Sequence, residues 1–359
     1  MNPWTPESVL AITRSFMESR VVLTGAELGV FTLLSDSPKR LDEVTAALKT
    51  TSRGTAILLD ALAAMGLLTK EDDRYMCPEE VARILSADSP TTVLPMLNHA
   101  VGLWSRWSKL TDIVRQGAAA RPTGVFEQEA GLEAFIGAMH VVGRHTADVV
   151  AEQAQADASR NLLDVGGATG TYAEAFLRRY PEMRATVFDR PLVIRLTKKR
   201  LCEAGLDARK RNAEALRAPA CAHVMERITL VAGDFYTDEL PGGHDLALLS
   251  AIIHQNSPDQ NQELYRKVFR ALAPGGRILI RDHVMSGNRT QPRAGALFAV
   301  NMLVATTGGN CYTLEEIRET LGVAGFSGIR LVQSGDMYGA LRSASSEDTM
   351  NALVEAIKP

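Results

Sequence analysis

Four short segments carry glycines, carboxylates and a histidine where the ends of successive strands could gather them. The first reads Leu162-Leu163-Asp164-Val165-Gly166-Gly167-Ala168-Thr169-Gly170, with a helix expected from Thr171. A glycine-rich turn between strand and helix lets a ligand approach the backbone closely. Many nucleotide folds use such a turn, but the dinucleotide fingerprint needs glycine where Ala168 stands. Asp164 adds a sign to the site. A helix N-terminus attracts pyrophosphate, and a carboxylate at the strand end repels it and favours a cationic ligand. S-adenosylmethionine (SAM) has no phosphate and carries a sulfonium and an ammonium. The plainer alternative is that Asp164 only caps the following turn.

The second segment ends Val187-Phe188-Asp189 and puts Asp189 19 residues past Gly170. That is close to the ~20-residue spacing of an acid that accepts ribose hydroxyls. The third, Ala232-Gly233-Asp234-Phe235, offers a carboxylate for an adenine amino group and a ring to pack on it. Acids on three successive strand ends form a constellation, and Gly166, Gly167, Gly170 and Ser250 join them as candidates for holding the cofactor. The fourth segment, Ser250-Ala251-Ile252-Ile253-His254-Gln255-Asn256, brings His254 to the same rim. Methyl transfer from a sulfonium is an in-line displacement with a neutral thioether leaving. It needs proximity, alignment and an acceptor for the incoming nucleophile's proton, and His254 is the candidate base. A phenol near pKa ~10 against imidazole near ~6.5 makes full proton transfer cost roughly 5 kcal/mol. An aliphatic alcohol lies nearer water's ~15.7, so the argument favours a phenol or an enol. A hydrogen-bonded structural histidine is the competing reading.

These residues need a sheet to position them. Strands are expected at Asn161–Val165, Ala185–Phe188, Ile228–Ala232, Leu246–Ser250, Arg277–Asp282, Gly328–Val332 and Tyr338–Arg342, with helices between the first five. That alternation implies an α/β, mostly parallel, Rossmann-like sheet covered on both faces, with ligands at the carboxyl ends of its strands. The preceding part reads as helical. Leu41-Asp42-Glu43-Val44 opens a short helix with Asp42 as N-cap. A second helix, capped by Thr51-Ser52, turns Ile57, Leu58, Ala61, Leu62 and Met65 inward and ends at Gly66. A small hairpin follows around Glu71-Asp72-Asp73, completing a winged-helix pattern, and further helices are expected at about 79–86, 92–116 and 130–157. The chain's 359 residues exceed what one core usually holds. The expected division is a winged-helix dimerisation domain over 1–120, a helical linker contributing to the acceptor pocket over 121–160, and a SAM-binding domain over 161–359.

Composition removes several classes. Net charge is −3, so no basic field draws the chain to nucleic acid or anionic lipid, and the acidic hairpin would repel phosphate. Cys77, Cys202, Cys221 and Cys311 have neither zinc nor redox spacing, and scattered thiols suit a cytoplasmic protein. No metal cluster, secretory signal or apolar run long enough to span a bilayer is expected. The basic side chains over 190–211 read as a solvated helix face. His140 and His145 are expected to be structural or pocket-lining, and His283 to face away from Asp282 along its strand.

Taken together, the glycine loop, Phe188-Asp189-Arg190-Pro191, Gly233-Asp234-Phe235, Ile253-His254 and Ala273-Pro274-Gly275-Gly276-Arg277 resemble the small-molecule O-methyltransferases that include plant caffeic-acid-type and bacterial antibiotic-tailoring enzymes. The resemblance spans essentially the whole chain, with an insertion between Arg195 and Arg227. It implies a seven-stranded SAM-binding sheet whose last strand is antiparallel, and an all-helical winged-helix domain that makes a homodimer. It puts His254 in the place of the base and Asp282 in that of the acid orienting it. Phe135, Met139 and Met302 fall where the family lines its acceptor pocket, as does the apolar stretch Ala294–Thr306. Two positions depart from the family. His254-Gln255-Asn256 stands for His-Asp-Trp, removing an aromatic wall beside the cofactor, and Cys311 stands for a second acid near the base. Methylation of a ring carbon is the runner-up chemistry. A SAM-binding sensor without turnover and a nicotinamide oxidoreductase are the other classes, the latter opposed by Asp164 and Ala168.

Overall fold

Near-continuous apolar runs build the sheet. Leu162 and Leu163, Leu246 to Leu249, and Ile278 to Ile280 are fully buried, as expected of strands covered on both faces. In the computed structural model, which describes residues 4–117, 129–144, 146–211, 226–333 and 352–359, these runs become β1 (Asn161–Val165), β2 (Arg184–Asp189), β3 (Ile228–Ala232), β4 (His244–Ser250), β5 (Leu272–Asp282), β6 (Ser327–Gln333) and β7 (Ala352–Ile357). The seven strands are ordered β6-β7-β5-β4-β1-β2-β3. All neighbouring pairs from β5 to β3 are parallel. β7 runs antiparallel to both β5 and β6. The order reverses at β1 and β4, so the carboxyl ends of those strands flank the crevice where such sheets bind ligands.

The helices are α1 (Glu129–Gly143), α2 (Ala147–Gln153), α3 (Thr171–Arg179), α4 (Pro191–Arg211), α5 (Pro258–Ala271), α6 (Arg293–Ala305) and α7 (Leu314–Val323). Side chains alternate between the two faces of each strand. Leu163, Ala247, Leu249, Ile278 and Ile280 therefore pack under Leu264, Tyr265 and Val268 of α5 and Ile317 and Leu321 of α7. Leu162, Leu246, Leu248 and Leu279 pack with Phe176 and Leu177 of α3 and Val150 of α2 on the other face. Ser257 starts α5 with a capping box, its side chain accepting from Gln260 N–H, which fixes where the segment after β4 ends.

The chain divides into two compact units, Met1–Ser105 and Arg106–Pro359. In the first, Lys39–Arg40, Thr69–Glu71 and Arg74–Met76 form a three-stranded antiparallel sheet beside helices, so this unit is not wholly helical. Among the described residues, no helix is long and apolar enough to cross a membrane.

Several local expectations are corrected. The helix at Leu41–Leu48 has Arg40 as its N-cap, with Asp42 inside the first turn, because the Glu43 carboxylate reaches back to the Arg40 N–H at 2.6 Å. The helix at Ser52–Ala64 buries Thr55, Leu59 and Leu62 and leaves Ile57 and Met65 exposed; apolar residues nearly all round it made its inward stripe ambiguous. The long helices expected at 92–116 and 130–157 are each two helices, Leu94–Trp107 with Leu110–Gln116, and α1 with α2. The strand expected at Tyr338–Arg342 lies outside the described residues, as do His145 and Cys221, and the seventh strand of the sheet is Ala352–Ile357.

Candidate active site

The loop after β1 is shaped by backbone that side chains disfavour. Gly166 has φ +67° and Gly170, the N-cap of α3, has φ +73°. A Cβ on Gly166 would lie 2.5 Å from Ile252 Cδ1, and one on Gly167 would lie 2.7 Å from the Asp164 carboxylate. Both positions therefore exclude a larger residue. Helix α4 holds the loop from outside. Arg200 donates from Nε and Nη2 to the Thr169 carbonyl at 2.9 and 2.7 Å and pairs with Glu174 at 2.7 Å, and the Thr197 hydroxyl donates to the Ala168 carbonyl.

The acids sit on this frame. Asp189, ending β2, accepts the Ala168 N–H at 2.9 Å and the Arg190 N–H at 2.7 Å. Burial raises its pKa, partly offset by those two N–H groups. Asp234 accepts the Tyr236 N–H at 2.9 Å. Phe235 is part-buried, 3.6 Å from the point a Gly166 Cβ would occupy, so ring and glycine loop are neighbours. Asp164 lies beneath the loop, only 1% exposed. It takes the Ala173 N–H, while Oδ2 has no hydrogen-bond partner among the described residues. Burial first and the Asp189 charge second push its pKa up to about 7. Ser250, at the end of β4, lies 3.4 Å from Arg281 Nη1.

His254 sits on a 3-10 turn, Ile253–Gln255, directly after β4. Its Nδ1 lies 2.9 and 3.0 Å from the two Asp282 carboxylate oxygens, and Asp282, at the end of β5, is fully buried. Neighbouring parallel strands thus bring together residues 28 apart in sequence. A carboxylate accepts only, so Nδ1 carries a hydrogen, and in the neutral imidazole the lone pair is on Nε2. Burial pushes the Asp282 pKa up, but the imidazoles of His254 and His283 and the His283 N–H at 2.8 Å bring it below the usual carboxylate value.

Phe298 escaped the sequence, and His283 is expected there only to face away from Asp282. The ring of Phe298 of α6 is perpendicular to that of His254, with ring centres 4.9 Å apart, and also lies 4.9 Å from the ring of His283. His283 is buried, and its pKa is pushed down to about 4, first by that burial. Alternation along β5 gave it no place here because the strand ends at Asp282. Cys311 is also buried, its thiol pushed up to about 12 by burial and by the Asp282 charge. Met302 is buried on α6, and Met139 is part-buried on α1. Phe135 packs with Leu132, Ile136, Val193 and Ala168, beside the glycine loop. His140 of α1 meets the Thr171 hydroxyl at 2.8 Å, at the start of α3. No group of His, Cys, Asp and Glu among the described residues could hold a metal ion.

His254 on its buried carboxylate thus stands two residues past Ile252, which packs against Gly166 of the acid-lined glycine loop. Residues 107–327 match the O-methyltransferase domain, and residues 10–88 match the O-methyltransferase dimerisation domain. The chain belongs to the O-methyltransferase family. This O-methyltransferase is 30% identical to the tetracenomycin polyketide synthesis 8-O-methyl transferase TcmO of Streptomyces glaucescens, covering 90% of this chain and 92% of that one. It is 28% identical to acetylserotonin O-methyltransferase of Gallus gallus, covering 94% and 96%. Its fold is that of the solved structure of PigF with SAH (TM-score 0.82, 23% identity, 99% and 100% covered). Human N-acetylserotonin methyltransferase in complex with SAM shares it too (TM-score 0.77, 24% identity, 100% and 99% covered).

Proposed function

We propose that this O-methyltransferase moves the methyl group of SAM to a hydroxyl of a small aromatic or enolic metabolite, with His254 as general base. The buried His254–Asp282 pair beside the glycine loop carries this reading. SAM supplies a methyl group on a positively charged sulfur that leaves as a neutral thioether. The residues present fit such a ligand. Asp164 keeps a buried oxygen without a partner among the described residues, and Gly166 and Gly167 bring the loop backbone so close to Ile252 and Asp164 that neither position has room for a Cβ. Asp189 would hold the ribose hydroxyls, Asp234 the adenine amino group and Phe235 the adenine face. Gly166, Gly167 and Gly170 let the backbone approach, and Ser250 closes the rim.

His254 does the proton chemistry. Asp282 fixes Nδ1–H, leaving Nε2 to take the hydroxyl proton, and its negative charge stabilises the imidazolium that forms. Phe298, its ring perpendicular to the imidazole, restrains the base and makes that part of the site suited to a planar acceptor. Phe135, Met139 and Met302 line the acceptor side in this reading, with α1 belonging to the linker over 121–160.

The functional unit is a homodimer joined through the winged-helix domain over 1–120. Matching the dimerisation domain supports this, as do large apolar side chains left in water near the start of the chain: Trp4 (72% exposed), Leu10, Phe16 and Met17. The enzyme works in the cytoplasm, on a small molecule and without nucleic acid. A screen of phenolic and polyketide acceptors with methyl-labelled SAM tests the proposal, with the product's methyl position mapped. Label on oxygen is expected; label on a ring carbon, or no transfer to any acceptor despite SAM binding, overturns it.

A further inference from the structure

Asn256 occupies the position where the resemblance calls for tryptophan, yet the position is far from vacant chemistry. The residue is wholly buried, and its polar atoms are partnered. Oδ1 accepts the Tyr236 hydroxyl at 2.5 Å, Nδ2 donates to Asn261 Oδ1 at 2.9 Å, and the main-chain carbonyl accepts the Tyr312 hydroxyl. Asn261 in turn donates from Nδ2 to the carbonyl of Ile253 at 2.9 Å. That carbonyl can only accept, so the polarity of the whole chain is fixed: Tyr236 O–H to Asn256, Asn256 N–H to Asn261, Asn261 N–H to Ile253.

The two ends of this chain are functional segments. Ile253 opens the turn that carries His254. Tyr236 follows Phe235, and the loop holding both is gripped from α5. The buried Lys267 ammonium donates to the carbonyls of Phe235, Tyr236 and Asp238 at 2.9, 3.0 and 2.9 Å. Asn261 and Lys267 lie on the same helix. One rigid element therefore holds the aromatic wall and the base turn, and the Tyr236–Asn256 bond joins them directly. Fully satisfied buried networks of this kind rigidify what they connect.

We propose that Asn256 is a positioning residue that couples the Phe235 wall to the His254 turn, so that a ligand seated on the wall sets the base. This rests on the methyl-transfer reading above. Tyr236→Phe removes one oxygen and leaves Asn256 Oδ1 buried without a donor. The test measures binding of S-adenosylhomocysteine by calorimetry together with hydrogen exchange of the backbone over residues 253–257, so no acceptor need be known. In the wild type, binding should slow exchange in that segment. In Y236F, affinity should fall about tenfold and the ligand-induced protection should vanish at saturating ligand. Y236F/N256A should bind no more weakly than N256A alone, since the two residues act as one link; if N256A fails to fold, Y236F alone decides. Unchanged protection in saturated Y236F overturns this inference while leaving the methyl-transfer reading intact. Wild-type protein that binds no S-adenosylhomocysteine overturns both.

Discussion

Asp164→Asn should reveal how much stability the free protein gives up to keep a charge under its glycine loop. In the wild type the carboxyl is buried, its Oδ2 has no partner among the described residues, and its pKa is about 7 against an ordinary 3.8. A carboxyl with a raised folded-state pKa holds its proton more tightly when folded. Its contribution to stability is therefore largest below the unfolded value and is lost as pH rises towards about 7. Between pH 5 and pH 8 the folded group ionises after two further units, at about 1.36 kcal/mol each, so the wild type should lose roughly 3 kcal/mol relative to D164N. The amide leaves an unpaired N–H group that costs about 1–3 kcal/mol at every pH, so the change in the difference, rather than its absolute size, is the diagnostic. Urea denaturation of both proteins at pH 5, 6, 7 and 8 measures it. Parallel stability curves would refute the reasoning. A second arm separates ligand attraction from capping. If the carboxylate attracts a cationic cofactor, SAM affinity should tighten as pH rises through 7 in the wild type, by at most about tenfold per unit, and stay flat in D164N. Stability that moves with pH while SAM affinity does not would make Asp164 a helix cap and nothing more.

Replacing His254 by Gln should lower turnover by at least roughly 100-fold with SAM affinity within about twofold, and D282N should cost about 10³- to 10⁴-fold, because a charge some 3–4 Å from the imidazolium supplies about 4–5.5 kcal/mol at an effective dielectric near 20. Single-turnover rates and calorimetry check both, and a D282N enzyme with near-normal turnover would remove Asp282 from its role. Gly166→Ala must place a methyl group 2.5 Å from Ile252 Cδ1 at φ +67°; SAM binding should weaken more than about tenfold while circular dichroism stays unchanged. Phe16→Asp, on the exposed apolar segment, should halve the mass seen by light scattering, and an unchanged mass would place the dimer contact elsewhere.

Elements buried on both faces were the easy ones to read. Leu246–Ser250 and Arg277–Asp282 announce themselves because every position but Ser250 and Arg277 is held in the core, and the positions of His254 and Asp189 follow from being just past or at such strand ends. The seventh strand was missed for a physical reason. It reads Ala-Leu-Val-Glu-Ala-Ile, and a glutamate mid-strand argues against a central position. Here Glu355 is buried between Arg277 at 2.9 Å and Arg330 at 2.7 Å, partners supplied by β5 and β6 that no local pattern reveals. The same holds for Phe298. Its place between two imidazoles depends on how α6 lies over the end of β5, a tertiary fact with no signature in spacing.

Non-local pairing also changes what the departures from the family mean. An asparagine where tryptophan is expected reads as a lost wall when only residue types are compared. Once Tyr236, Asn261 and the Ile253 carbonyl are known to surround it, the same residue becomes a joint whose polar atoms are satisfied, in a place where an unsatisfied amide would be costly. The acids show the opposite arrangement. β1, β2 and β3 are adjacent, with Asp164 in register with Val187 and Asp189 with Ala232, and burial leads each rise: Asp189 then lifts Asp164, and Asp234 lifts Asp189. The base has its carboxylate partner in place, whereas the acidic side is left in electrostatic deficit, its carboxyls raised in pKa by burial and by one another. On the proposed reading of this rim as the SAM site, a ligand that brings positive charge would relieve that deficit and a pyrophosphate would deepen it, so the cofactor would be selected by sign before any contact to adenine is made.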